Sequence, residues 1–174
     1  MSKSKKWEIG ALRNNQSVCE AAKIILKTRL DHLLKISESY FIERSVESLH
    51  QVRIALRRVR YNMELFILCF DRKLFLRFYK RIESLQDISG SVRDLDVLKE
   101  NLSSLFKEDT ASVSQGKGSE QELTSVKSRI SVRAVSPILI RTESKRIELE
   151  KNLELELTKF LNSKLLKDFY KLLM

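Results

Sequence analysis

Only four glycines and one proline punctuate this chain of 174 residues. That scarcity excludes most architectures before any periodicity is counted. A β-sandwich or barrel turns about every 8–12 residues and draws on Gly and Pro to do so, and this chain cannot supply those turns. Helices need few breaks, and apolar residues recur at helical spacing along most of the sequence. The class expected is therefore all-α: an antiparallel helical bundle, made of a four-helix-type unit plus a long C-terminal helix, in a single domain over residues 1–174.

The elements follow from caps and periodicity. Residues 1–6 read as a basic tail. Ala11, Val18, Ala22, Ile25 and Leu33 mark a first helix over 11–37. Ser45, with Ser48 and Leu49 behind it, opens a second helix that runs to about Phe70. A third begins near Arg72 and is expected to stop at Ser89–Gly90, where Gly fits a C-cap. Asp94 is expected to cap a fourth, and residues 109–119, rich in Ser and Gly, read as a flexible loop. Ser119-x-x-Glu122 has capping-box spacing, and Ser136-Pro137 either divides or restarts the helix that follows. A long charged helix then passes through Ile140, Ile147, Leu153, Leu157 and Phe160, and the last segment, KLLKDFYKLL, is apolar enough to pack down.

Several function classes fall away at once. No apolar run approaches the ~18 residues of a membrane span. MSKSKKWEIG carries basic residues without the apolar stretch of a secretory leader, so a cytoplasmic protein is expected. Cys19 and Cys69 have no CxxC spacing and suggest neither a disulfide framework nor a zinc site. No Walker loop, HExxH or Ser/His/Asp set can be placed, so no enzyme, metal or cofactor is expected. Asp94 and Asp96 read as a helix cap and a partner for Arg93 rather than as a metal pair.

The charge is the positive clue. The chain is basic by +10, and the stretch from Arg44 to Arg81 holds ten Lys/Arg against three acids. Most are Arg, whose planar fork meets phosphate oxygens two at a time. On a helical wheel of about 100° per residue, Val52, Ala55, Leu56, Val59, Met63 and Phe66 form a core-facing stripe. His50, Arg53, Arg57 and Arg60 form a separate row, with Arg58 off it toward a neighbouring helix. Glu64 stands four residues beyond Arg60, whereas Arg53 and Arg57 have no acid three or four positions away. Lys73, Arg77, Lys80 and Arg81 cluster on one side of the next helix, so two basic stripes could meet as one groove. His32, outside any basic row, reads as structural or surface.

The segment LHQVRIALRRVR, Leu49 to Arg60, resembles the signature of the CHAD family, the conserved histidine α-helical domain. His50, Arg53, Arg57, Arg58 and Arg60 all fall on its basic positions. Residues Leu85 to Leu98 resemble the family's second landmark, L-G-x-x-R-D-x-D-V-L, with Ser89 in place of the usual Leu before Gly. The resemblance implies a helical fold of two symmetry-related repeats that binds inorganic polyphosphate in a basic channel and is not itself an enzyme. It implies one repeat here, since there is one His/Arg motif. That motif also resembles the second-repeat pattern R-Y-x-x-E-L-F at Arg60 to Phe66.

The function expected is non-catalytic binding of inorganic polyphosphate, with the channel completed by a homodimer or left as an open groove, and with association to polyphosphate granules. His50, Arg53, Arg57 and Arg60 are the expected first contacts. Arg58, Arg77, Lys80, Arg81 and Arg93 would form the surrounding wall, and Lys23, Lys27, Arg141 and Lys145 outlying contacts. Two alternatives stay open. One is nucleic-acid binding by the same groove; the other is a helical interaction protein, docking through Leu153, Leu157, Phe160 and Leu161, for which phosphate is incidental.

Overall fold

Serine caps set where the first two helices begin. In the computed structural model, which describes residue 9, residues 11–113 and 121–174 and the side chains outside 105–136, helix α1 spans Val18–Glu43. The Ser17 hydroxyl accepts from the Glu20 N–H at 3.2 Å while the Glu20 carboxylate accepts from the Ser17 N–H at 2.9 Å, so two orphan donors are satisfied together. Helix α2, Val46–Leu65, starts with the same device between Ser45 and Ser48. Between them Arg44 adopts the left-handed conformation, φ 48°, and its N–H donates to the Tyr40 carbonyl. After α2 comes a short 3-10 turn, Ile67–Cys69, then α3 (Arg72–Val113), α4 (Gln121–Leu161) and α5 (Lys164–Leu173). Among the described residues there is no strand, and no helix is long and apolar enough to cross a membrane.

Four expectations about boundaries do not hold, the first being helix α1, which runs from Val18 to Glu43 rather than over 11–37. Helix α3 continues through Gly90 and Asp94, so neither a C-cap nor a new N-cap interrupts it, and residues 109–113 are helical. An interior Gly costs about 1 kcal/mol relative to Ala, which buried flanks such as Leu85, Ser89 and Val92 outweigh. Helix α4 likewise runs unbroken past Pro137. The second helix ends at Leu65 and finishes in the 3-10 turn rather than reaching Phe70. The expected tail 1–6 and loop positions 114–119, with Ser119, lie outside the described residues.

The chain divides into two compact units, Met1–Ser89 with Leu153–Met174, and Gly90–Asn152. The core of the first takes one stripe from each helix that enters it. These are Leu26, Leu30 and Leu33 of α1, Val52, Leu56, Val59 and Met63 of α2, Phe75, Phe78 and Ile82 of α3, and Leu153, Leu157 and Phe160 of α4. Phe169 of the amphipathic α5 stacks on Phe78 with ring centroids 3.8 Å apart, and Phe160 tilts against Phe78 from α4. Burying each such side chain contributes about 1.5–3 kcal/mol. So Leu153, Leu157 and Phe160, weighed as a docking surface, are core. Phe66 is only half-buried, while Ala11 and Val18 are exposed.

Cys19 and Cys69 are not isolated, as their spacing suggested. They form a disulfide, Cα atoms 5.0 Å apart, tying the first turn of α1 to the 3-10 turn after α2. The pairing follows from the antiparallel packing of α1 on α2, which brings the start of one helix beside the end of the other.

The second unit is held by ion pairs. Arg146 of α4, only 11% exposed, donates to Asp96 of α3 and to Glu150, and Lys99 meets Glu143 at 2.6 Å. Asp96 is therefore committed to an arginine on the opposite helix, Arg93 pairs with Glu100 at 3.4 Å, and Asp94 is exposed within α3.

Candidate functional site

Helix α2 displays its basic residues on an uninterrupted helical backbone whose opposite face is anchored by Val52, Leu56, Val59 and Met63. His50 and Arg53 are half-buried and Arg57 is exposed. Among the described residues neither Arg53 nor Arg57 has a carboxylate within ion-pair distance; Arg57 instead lies over the Tyr61 ring, its Cζ 5.9 Å from the centroid. The His50 Nδ1 is buried with no hydrogen-bond partner. Such an atom costs about 1–3 kcal/mol when nothing satisfies it, which suits a place that receives a ligand or solvent.

Arg60, though in the same row, is engaged. Its Nε donates to Glu64 Oε1 at 3.0 Å and to the Tyr79 hydroxyl at 3.1 Å, and its Nη2 lies 3.4 Å from Glu83. The Tyr79 hydroxyl in turn donates to Glu64 at 2.7 Å. The phenol bond and the Glu64 carboxylate hold the guanidinium above its usual range against the opposing effect of burial, while burial and Glu64 raise Tyr79. Arg60 thus braces α2 against α3.

That brace joins α3 to α2 through Tyr79 and Glu83. Arg77 and Lys80 are exposed, and among the described residues neither is ion-paired. Arg81 turns to α4, where Nη1 meets the Glu156 carboxylate and Nη2 the Glu156 carbonyl, each at 2.7 Å. Lys159 and Arg81 together hold Glu156 below the usual carboxylate range.

The remaining expected contacts divide similarly. Lys27 pairs with Asp31 at 3.4 Å, while Lys23 is half-buried with no ion pair among the described residues. Arg93, Arg141 and Lys145 belong to the second unit, where Lys145 pairs with Glu148 and Arg141 is exposed without a partner among the described residues.

A cluster that sequence reasoning missed lies between α1 and α2. Burial first, and then the charges of Arg29 and Arg57, hold Arg58 below the usual guanidinium range. Burial, with Arg58, Arg29 and Lys35, lowers His32 from its ordinary 6.5. The Arg29 Nε is buried with no hydrogen-bond partner. His32 thus sits among cations that disfavour its own charge. The available signal was Arg29-x-x-His32-x-x-Lys35, three basic-type residues at i, i+3 spacing on one helix.

Compared with known proteins, residues 10–172 match the family model of the CHAD domain. No curated protein and no solved structure matches the chain.

Proposed function

The chain belongs to the CHAD domain family, and from that premise we propose that it binds inorganic polyphosphate without turning it over, with His50, Arg53 and Arg57 as the primary contacts. The family is linked to polyphosphate binding in general. The observation that carries the reading for this chain is the state of Arg53 and Arg57. Two guanidiniums stand one turn apart on a helix beside an unsatisfied imidazole nitrogen, and among the described residues no acid answers them. A row of like charges stores repulsion that a linear polyanion relieves at every step, and such a ligand requires neither bases to read nor aromatic platforms. The buried Phe75 and Phe78 fit that requirement, since neither is available for stacking. Pairing of two copies, each offering one His/Arg helix to the same polymer, is part of the proposal.

The experiment is calorimetric titration with long-chain polyphosphate, on the unaltered protein and on Arg53→Glu/Arg57→Glu, with the particle mass measured in the same sample. Binding that the double variant abolishes supports the reading, and a mass of twice the chain supports pairing. A folded, unaltered protein that binds no polyphosphate refutes it. Displacement by equal phosphate equivalents of RNA would favour the nucleic-acid alternative.

A further inference from the structure

We propose that bound polyphosphate leaves the α2 row at Arg57 and continues over Arg58 onto α1, where Arg29 and His32 form a second phosphate subsite. This rests on the reading of the α2 row above and adds its direction of travel. Two routes lead away from Arg57. Toward α3, the chain would meet Glu83, Glu64 and the Tyr79 hydroxyl, already locked to Arg60, and two carboxylates repel a polyanion. Toward α1, it meets Arg58, Arg29, His32 and Lys35, which lie close enough for their charges to act on one another.

The acid next to His32 is engaged by other groups. Asp31, next to His32, is held by Lys27 and by the Tyr170 hydroxyl from α5. Among the described residues no carboxylate pairs with Arg29, whose Nε is a buried donor lacking an acceptor. A phosphate oxygen is the acceptor such a donor is suited to, and its charge would relieve the crowding of cations around it. Arg57 belongs to both groups, since it stands in the α2 row and acts on Arg58, so the two subsites share a residue rather than competing for the ligand.

The test reads His32 directly. The imidazole resonances of the unaltered protein are followed by NMR as pH is varied, with and without long-chain polyphosphate, His50→Gln assigning the two histidines. Bound phosphate beside His32 should move its midpoint upward, because an anion now offsets Arg58, Arg29 and Lys35. In parallel, calorimetry on Arg29→Gln should show affinity reduced about tenfold, as for one charge-assisted contact, while Lys171→Gln, at an exposed position of α5, changes it less than about twofold. If Arg29→Gln fails to fold, the His32 midpoint in the unaltered protein still decides. Binding that leaves the His32 midpoint unmoved overturns this subsite and leaves the α2 reading standing. An equal loss in Arg77→Gln would route the polymer to α3 and overturn it as well. Absence of any binding removes the α2 reading, and the subsite with it.

Discussion

Replacing Arg60 should cost stability and leave affinity almost untouched, although it shares a row with Arg53. The side chain is 23% exposed and its carboxylate partners Glu64 and Glu83 are 43% and 39% exposed. Pairs solvated to that degree contribute about 0.2–1 kcal/mol each, and the lost bond to the Tyr79 phenol adds about 1 kcal/mol. Arg60→Met should therefore unfold at lower urea, by about 1.5–3 kcal/mol on extrapolation to water, with circular dichroism as the probe. Arg53→Met has no pair to lose, so its stability should stay within about 0.5 kcal/mol while polyphosphate affinity drops about tenfold or more. Calorimetry on the same two variants separates the roles. If Arg60→Met binds as weakly as Arg53→Met at undiminished stability, Arg60 is a ligand contact and the brace is incidental.

Removing the disulfide with Cys19→Ser/Cys69→Ser opens a loop of 50 residues, for which chain entropy implies a loss of about 4 kcal/mol; an unchanged urea midpoint under oxidising conditions would contradict it. In a reducing cytoplasm the pair is two thiols, and the protein then lacks that contribution. Arg146→Met leaves Asp96, 4% exposed, as an uncompensated buried charge and should cost about 3 kcal/mol or more, with Arg146→Met/Asp96→Leu recovering much of it; a single variant within about 1 kcal/mol of the unaltered protein would sink the argument. His32 makes stability depend on pH. Its folded-state pKa lies below the unfolded 6.5, so the unfolded chain takes the proton more readily; the contribution is complete above 6.5 and is lost as pH falls through the folded value. His32→Gln should flatten that window, and a profile identical to the unaltered protein's would show that the cluster does not act on His32.

What the sequence disclosed was what a single helix decides for itself. The Ser45 cap, the core stripe from Val52 to Met63, the row from His50 to Arg57 and the Arg60–Glu64 pair are local, set by spacing of three and four. Where elements end was less legible, because Gly90 and Pro137 carry local penalties that packing across helices overrides. Where elements meet was not legible at all. Nothing in residues 72–84 tells that Tyr79 and Glu83 meet Arg60 of α2. The pairing of Cys19 with Cys69, and of Arg29 with Arg58, needs two helices side by side before either proximity exists.

The Cys19–Cys69 bond has a topological consequence. Helices α1 and α2 are joined at one end by the peptide turn at Arg44 and at the other by sulfur, so residues 19–69 form a closed covalent ring. Arg29, His32, His50, Arg53, Arg57 and Arg58 all lie on that ring. Tryptic scission after the exposed Arg44 would open it without releasing either piece. The nicked protein would migrate as one species without reductant and as two with it. Until it is reduced, both helices would stay tethered, and every cation of the track would remain within one molecule.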